Sequence, residues 1–420
     1  MLKIITILLM SKIAFAGPLH LPLDLTLEES QTLYKKHLKD IESMPPIKNF
    51  YASEFNQYEN DMETTIAGGQ KLLAWIKLIN SNRDGNPIRL TSKSTQRGIP
   101  INSPSRYSPK IVSERLQKIL SEIPEEMKNI IYKNNDPTTT IVLSDEEFIK
   151  YGRKVSGVYQ TATRWNMLKK WLPQLGMRAI NDVRGFYYLT NLEDLDLKLI
   201  NYKTLTESDQ KKIKRALIGI CINATQTMTG YCKSKVEKAI TKSSLLTIKN
   251  EYLSKAQRVW DSYFKISRPR TDVQWTANGP NVLQIPFKKI KQGHIANWLK
   301  SNVEDEFRLQ DENFSMELSF IRGGWGTSYL EFQPGVTPHV SGGNKIVMDA
   351  NTDIQEYGVR WTIRHEFGHI LRLPDCYTEF YDYNQKVMIN YQLDTTDLMC
   401  SRAGQMNKRI YEELRRVYAK

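Results

Sequence analysis

Apolar and polar residues alternate with two different periods in the last third of the chain, and the change of period separates strands from helices. Alternation at every second position predicts short strands over residues 282–287, 314–321, 328–332 and 345–349. Apolar residues three and four positions apart predict helices over residues 294–307, 355–371 and 407–420. The predicted order is therefore β-α-β-β-β-α, followed by a loop and a closing helix.

The preceding part of the chain carries mainly the helical period. Helices are predicted near residues 33–41 and 72–79, and again over residues 145–172, 208–222 and 233–263. Residues 86–113 are rich in Ser, Pro, Arg and Thr, which is typical of an exposed connection. A chain of 420 residues favours several domains. We predict an α+β protein with a leader over 1–16, a helical N-terminal region with this linker over 17–113, a helical domain over 114–264 and an α+β domain over 265–420.

The first sixteen residues have the pattern of a secretory signal. Lys3 precedes an apolar run over residues 4–10, and Ala14 and Ala16 place small residues around a cleavage position. No later apolar stretch approaches the roughly 18 residues that a membrane-spanning helix needs. We therefore expect an exported protein, secreted or periplasmic, whose mature chain starts near Gly17.

The net charge of +13 is distributed unevenly along the chain. Residues 1–261 hold 39 of the 59 Lys and Arg residues but only 27 of the 46 Asp and Glu residues. Such an excess can attract an anionic surface or partner, although a solvated basic face is its commoner meaning. The pattern does not indicate specific recognition of nucleic acid.

The candidate chemistry lies in the helix predicted over residues 355–371, which contains His365-Glu366-Phe367-Gly368-His369. Histidines four residues apart lie on one face of a helix, so both imidazoles can bind one Zn²⁺. Glu366 can then act as the general base on a water at an open coordination position. Two ordinary helical histidines are the plainer interpretation, but with six His residues in the chain a chance match is uncommon.

A catalytic zinc ion usually takes three protein ligands, so one more donor is needed. Pro374 ends the predicted helix, and Asp375 follows at the point where the chain can turn back. Asp375 is therefore the nearest candidate, and its plainer interpretation is a carboxylate at a helix stop. Glu412 and Glu413 on the closing helix are the alternatives.

The sequence His365-Glu366-x-x-His369-x-x-x-x-x-Asp375, followed by Asp397-Leu398-Met399, resembles the metzincin metallopeptidases. Leu373-Pro374-Asp375 with Tyr377 is similar to the snapalysin-type small neutral proteases, which use Asp as the third zinc ligand. The resemblance covers residues 268–420 and extends to the β-α-β-β-β-α order.

The resemblance implies a metzincin-like catalytic domain with a single zinc ion as its cofactor. It implies a methionine turn beneath the metal and a tyrosine that stabilises the tetrahedral intermediate. The residues implied are His365, His369 and Asp375 as zinc ligands, Glu366 as general base, Tyr377 as stabiliser and Met399 in the turn.

One position departs from the metzincin pattern. The third residue after the second histidine is normally Gly, because the helix ends there in a turn that favours positive φ. This chain has Arg372, which would be strained by about 1 kcal/mol in that conformation. Otherwise the helix continues and Asp375 lies elsewhere.

The four cysteines fall into two neighbouring pairs, Cys221 with Cys232 and Cys376 with Cys400. Export permits disulfides, and inert buried thiols are the alternative. The spacings do not match a zinc knuckle. A bond between Cys376 and Cys400 would tie the segment after Asp375 to the segment after Met399.

The expected function is that of a secreted zinc-dependent endopeptidase acting on a protein or peptide substrate. One alternative is a latent or inactive zinc-site protein whose basic helical region binds an anionic surface or partner. Another is a zinc hydrolase that cleaves a different bond, such as a cell-wall amide. The helical region is interpreted as a pro-segment, an adaptor or an anchor, and His294 and His339 as lone histidines with an ordinary surface role.

Overall fold

The computed structural model describes residues 53–419, apart from residues 84, 92–97, 134, 228, 277–279, 325 and 351. The predicted leader and the helix near residues 33–41 lie outside the described residues. The described chain is a mixed α+β protein, as the two hydrophobic periods predict. Among its described helices, none is both long and apolar enough to cross a membrane.

The helices are numbered in chain order over the described residues. They are α1 (Glu59–Asn80), α2 (Pro109–Glu122), α3 (Glu125–Tyr132), α4 (Asp145–Leu168), α5 (Leu172–Met177), α6 (Arg184–Thr190), α7 (Leu195–Ile200), α8 (Glu207–Thr225), α9 (Thr229–Thr241), α10 (Leu245–Ser262), α11 (Gly293–Glu306), α12 (Tyr357–Ile370) and α13 (Lys408–Tyr418). The strands are β1 (Ser105–Tyr107), β2 (Gln274–Thr276), β3 (Asn281–Lys288), β4 (Phe314–Ile321), β5 (Tyr329–Gln333), β6 (His339–Ser341), β7 (Lys345–Asp349), β8 (Tyr377–Asp382) and β9 (Val387–Gln392).

Helices α1 to α4 pack around a first apolar core. Trp75 of α1 meets Phe148 of α4 edge to face, with 4.9 Å between the ring centroids. Helix α4 begins at an N-cap, in which Ser144 Oγ accepts from the Glu147 backbone N–H and donates to the Glu147 carboxylate. The helices predicted near residues 72–79 and over 145–172 are present as α1 and α4, whereas α2 and α3 were not individually predicted.

Helices α6 to α10 form a second apolar core, in which Cys221 and Cys232 are joined by a disulfide. The single helix predicted over residues 233–263 is wrong, because α9 and α10 are separate. Ser243 takes a left-handed conformation with φ of 52°. The Ser244 and Ser243 N–H groups then donate to Ala239 and Ile240, which closes a Schellman turn without the usual glycine.

Strands β2 to β7 form two three-stranded sheets beneath the candidate site. Strand β3 pairs parallel with β4 and antiparallel with β2, while β7 pairs parallel with β5 and antiparallel with β6. The Lys288 N–H donates to the Ser328 carbonyl at 2.7 Å, which joins β3 to β5. The strand orders are therefore β2-β3-β4 and β5-β7-β6, and this contact links the two sheets. All four predicted strands are present, whereas the three-residue strands β2 and β6 were not predicted.

Residues 86–113 were predicted to be an exposed connection. Most of the residues that the structure describes in this stretch are buried or half-buried. Ile88, Ile101 and Tyr107 are buried, and β1 pairs antiparallel with β9. Ser108 caps α2 by accepting from the Ile111 N–H. The polar residues of this stretch therefore serve turns, caps and strand pairing, and the prediction of exposure is wrong.

Strands β8 and β9 form a hairpin in the segment that was predicted as a loop. Their register pairs Tyr377 with Gln392 and Asp382 with Val387. The sequence of β8 does not alternate between apolar and polar residues, because Thr378 and Glu379 are buried against polar side chains that are distant in sequence. A strand of this kind has no clear signal in its own sequence.

A buried carboxylate joins this hairpin to the helical part of the chain. Glu379 of β8 accepts hydrogen bonds from the Tyr107 hydroxyl and the Arg164 guanidinium, with Arg164 Nε 3.1 Å from Oε2. Burial and the Glu379 charge raise the pKa of Tyr107 well above its usual range. Tyr381 and Met388 of the hairpin lie in the same core as α1 to α4. Removing the helical part would therefore expose this core and leave Glu379 unpaired.

Replacing Arg164 with Ala tests this junction. Because Glu379 would stay buried without its ion-pair partner, we expect the free energy of unfolding to fall by about 2–3 kcal/mol. Urea denaturation measures the change. The matched control is Lys154→Ala, on the same helix as Arg164. This change breaks an exposed ion pair with Glu122 and should lower the free energy of unfolding by less than about 1 kcal/mol. Equal losses in the two variants would contradict the role of Glu379 as a buried link.

Candidate metal centre

Helix α12 carries both histidines of the predicted site. Its apolar residues Ile363, Phe367 and Ile370 are buried, and the Phe367 ring stacks on Phe287 of β3 with 6.2 Å between centroids. This packing fixes the rotation of the helix about its axis. The rings of His365 and His369 are consequently held 4.9 Å apart, edge to face.

Asp375 joins the two histidines at one point. Its Oδ1 atom lies 3.1 Å from His365 Nε2 and 3.0 Å from His369 Nε2. The donor atoms of the three residues all lie within 4.8 Å of one another. Donors around a tetrahedral zinc ion at about 2.0–2.1 Å are separated by roughly 3.4 Å. The two nitrogen-to-oxygen distances are therefore close to those of a zinc site.

The second nitrogen of each imidazole is held by a backbone carbonyl. His365 Nδ1 lies 2.9 Å from the Leu398 oxygen, and His369 Nδ1 lies 2.9 Å from the Leu373 oxygen. A carbonyl oxygen can only accept a hydrogen bond, so Nδ1 is the donor in both rings and carries the hydrogen. In the neutral ring the lone pair then lies on Nε2, which faces Asp375.

The charges of the three residues are strongly coupled. Burial lowers the pKa of His369, but the Asp375 carboxylate and then Glu366 raise it, to about 9 overall. Burial would raise the pKa of Asp375, but the two imidazoles hold it well below its usual range. A proton and a metal cation compete for the same nitrogen lone pairs, so the arrangement suits a divalent cation.

Glu366 lies beside this cluster without a hydrogen bond from any of the described residues. Its side chain is buried, with a relative exposure of 4%. Its charge raises the pKa values of His369 and Tyr377. A largely enclosed carboxylate that makes no hydrogen bond and lies beside two imidazoles is typical of a functional site. This is the arrangement that a general base requires.

The turn after α12 decides where Asp375 lies. The helix ends at Ile370, and Arg372 takes a left-handed conformation with φ of 67°. The Leu373 and Arg372 N–H groups donate to Gly368 and His369, each at 3.0 Å, which is a Schellman turn. Of the two expectations for Arg372, the structure has the strained turn and not the longer helix.

The Arg372 side chain fills a space beside the turn that follows β6. A Cβ atom on Gly343 would lie 1.8 Å from Arg372 Nη1, so the guanidinium packs directly on the glycine backbone. Gly343 itself has φ of 74°, a conformation that favours glycine. The position of the Arg372 guanidinium is therefore compatible with glycine at position 343, where a side chain would overlap it.

Met399 lies directly beneath α12. A Cβ atom on Gly368 would be only 2.2 Å from Met399 Sδ, and Met399 is buried. Gly368 lies on α12 between the two histidines and immediately precedes His369. The predicted methionine thus packs against the backbone that carries the imidazoles.

Asp397 holds the Met399 turn in place, a role that the sequence analysis did not assign. It is fully buried, accepts from the Met399 N–H at 2.8 Å and from Asn407 Nδ2 at 2.7 Å, and forms an ion pair with Arg409. The adjacent Leu398 supplies the carbonyl that binds His365. The only sequence signal was a carboxylate two residues before the methionine.

The predicted pair Cys376 and Cys400 is joined by a disulfide in the structure. The Cys376 N–H also donates to the Met399 carbonyl at 3.1 Å. The bond therefore ties the residue after Asp375 to the residue after Met399. It fastens the third candidate ligand to the floor of the site.

Tyr377 begins β8 at the edge of the cluster. Its ring lies 6.1 Å from the His365 ring, between centroids. Burial, followed by the charge of Asp375, raises its pKa well above the usual range, so the hydroxyl keeps its proton. It makes no hydrogen bond with the described residues, and it is available to a bound molecule.

The other candidate donors lie elsewhere. Glu412 is exposed, and Glu413 accepts from the Ile266 N–H and from Arg416. His294 and His339 are exposed. In the part of the chain that the structure describes, none of these four belongs to a group of converging metal donors.

Two imidazoles and one carboxylate suit zinc, and the same set also suits non-haem iron. A glutamate next to such a donor set has the chemistry needed to take a proton from water at a metal ion. Comparison of the chain with protein-family models, curated proteins and solved structures finds no match.

Replacing Gly368 with Ala tests the contact with Met399. The added methyl group overlaps a buried side chain, so we expect a loss of about 1–3 kcal/mol in the free energy of unfolding. The control is Gly157→Ala in α4, where a Cβ atom meets open space and Ala should stabilise the helix by about 0.5–1 kcal/mol. The packing is refuted if both alanines stabilise the protein equally in thermal denaturation.

Replacing Arg372 with Gly tests the strained turn. Glycine takes positive φ without steric cost, so the free energy of unfolding should rise by about 0.5–1 kcal/mol. Arg372→Ala is the control, because it removes the guanidinium contact but keeps the strain. Chemical denaturation of both variants separates the two effects, and a gain with Ala as large as with Gly would rule out backbone strain.

Proposed function

We propose that the chain is a zinc-dependent endopeptidase of the metzincin type. The observation that carries this proposal is the convergence of His365, His369 and Asp375 beside Glu366, a buried carboxylate without a hydrogen-bond partner among the described residues. The donor spacing and the two carbonyl-bound imidazoles support zinc in particular.

The chain's own residues would divide the work of hydrolysis. Bound zinc would supply a Lewis acid and lower the pKa of water. Glu366 takes the proton of the attacking water and carries it to the leaving amine. The Tyr377 hydroxyl, protonated and available, donates a hydrogen bond to the developing oxyanion. Both groups lie beside the histidines, as this sequence of steps requires.

The edge of the sheet favours a peptide as the substrate. Strand β6 is the last described strand of its sheet, antiparallel to β7. The turn after it contacts Arg372, which places this edge near the end of α12. An extended peptide can add to such an edge through main-chain hydrogen bonds. This geometry supports peptide-bond hydrolysis over the cell-wall amide alternative.

Two further features support the metzincin type. The order β-α-β-β-β-α is present from β3 to α12, with β6 as an additional short strand. Met399 packs beneath the histidine helix. Because Arg372 adopts the turn that glycine usually forms, its presence gives no reason to expect an inactive site.

We further propose that the protein works outside the cytoplasm. Both cysteine pairs are disulfide-bonded in the structure, which an oxidising compartment permits. The signal-like pattern of residues 1–16 gives the route of export.

Replacing Glu366 with Gln tests the general base. The variant should retain about one zinc ion per chain, while casein hydrolysis falls by roughly 10²–10⁴-fold because no side chain takes the proton of water. Atomic absorption and a casein assay on the same preparation measure both quantities. Glu412→Gln on the surface of α13 is the control and should behave like the natural chain. Hydrolysis at the natural rate by Glu366→Gln would refute the general-base role.

Replacing Asp375 with Ala tests the third ligand. Loss of a ligand should weaken zinc binding by roughly a hundredfold or more, since even changes in outer partners cost 10–100-fold. Competition with a chromogenic chelator measures the affinity. The controls are Glu412→Ala and Glu413→Ala, which remove the alternative carboxylates and should leave zinc affinity unchanged. A larger loss in either control would transfer the role to that residue.

A further inference from the structure

A group of large apolar side chains is exposed where the helical part meets the hairpin. The relative exposures are 37% for Met167, 48% for Trp171, 57% for Met177 and 44% for Tyr383. Large apolar side chains that are exposed as a group mark interaction sites, whereas single ones need no explanation. We call these four residues the Trp171 patch.

The four side chains lie on two segments that are in contact with each other. Met167 and Trp171 are four residues apart where α4 passes into a 3₁₀ turn over Lys169–Trp171. The Tyr383 hydroxyl lies 3.4 Å from the Leu172 carbonyl oxygen. A Cβ atom on Gly176 would be 2.1 Å from the Tyr383 ring, and Met177 is the next residue. The tip of the hairpin thus lies directly against α5.

The charge around the patch is mainly positive, with Asp382 beside Tyr383 as an acidic neighbour. Residues 148–181 contain seven Lys and Arg residues and no Asp or Glu. Lys169, Lys170 and Arg178 are exposed and form no ion pair with the described residues. Lys170 Nζ lies 5.7 Å from the centre of the Trp171 ring. Cationic and apolar side chains therefore alternate along residues 167–178.

We propose that the Trp171 patch docks the protein on a membrane surface rich in anionic lipid. Tryptophan and tyrosine rings have an apolar body and a polar edge, which suits the boundary between headgroups and acyl chains. Lysine and arginine side chains beside them reach anionic headgroups and add about fivefold in partition each. A soluble anionic polymer would be held by the cations alone and offers nothing to Trp171 and Met177.

Docking through this patch would also set the height of the candidate centre. Strand β8 runs from Tyr377 at the histidines to Asp382, next to Tyr383 in the patch. Six residues of strand span about 20 Å, so the centre would stand at most about 20 Å from the docked end of the strand. This consequence rests on the proposed peptidase function, whereas the docking itself does not.

Co-sedimentation of the purified mature chain, starting at Gly17, with lipid vesicles tests the proposal. We expect binding to vesicles of phosphatidylcholine mixed with phosphatidylglycerol, weak binding to phosphatidylcholine alone, and weaker binding as salt is raised. The variant Lys169→Gln with Lys170→Gln should partition about 25-fold less, from two charges at about fivefold each. The matched control is Lys211→Gln with Lys212→Gln, which removes two exposed lysines from α8 and should keep the natural partition.

A second measurement identifies the inserted side chain. Brominated phosphatidylcholine in the anionic vesicles should quench part of the tryptophan emission of the natural chain. That quenching should be lost in Trp171→Phe, which still binds. No binding to anionic vesicles, equal losses in the two lysine variants, or quenching unchanged in Trp171→Phe would each overturn the proposal. Binding of an acidic protein by this patch with no affinity for vesicles would overturn it as well.

Discussion

The candidate centre depends on the backbone turn that ends helix α12. If the helix continued past Ile370, Asp375 would be carried away along the helix axis and the two histidines would have no carboxylate. The left-handed conformation of Arg372 stops the helix and reverses the chain. The same turn brings the Leu373 carbonyl to His369, which orients the second imidazole. One strained residue therefore positions two of the three candidate ligands.

The other side of the centre is built from a segment more than twenty residues further along the chain. Asp397 fixes the turn around Met399, and the carbonyl of the preceding residue, Leu398, orients His365. The disulfide between Cys376 and Cys400 ties this turn to the residue after Asp375. The hairpin that carries Tyr377 is anchored in turn through Glu379 to Arg164 in the helical part. The histidine face is thus held by the sheets below, by the turn behind and by a helical unit at the side. Such support is what precise placement of a water and a base requires.

The sequence predicts most of what is local in this structure. The strands over 282–349 and the histidine helix follow from hydrophobic period, and the convergence of His365 with His369 follows from their spacing on one helix face. The parts that it does not predict depend on distant partners. The β8–β9 hairpin is hidden because Glu379 is buried against Arg164, more than two hundred residues away in sequence. Neither the left-handed Arg372 nor the part played by Asp397 can be decided from composition, because each depends on the packing around it.

Zinc K-edge X-ray absorption on the purified full chain tests the central claim most directly, because it reports the atoms around the metal. The account predicts about one zinc ion per chain, bound by two imidazole nitrogens and by carboxylate and water oxygens at about 2.0–2.2 Å. Sulfur at about 2.3 Å, a single imidazole, or a chain that takes up no zinc would contradict it.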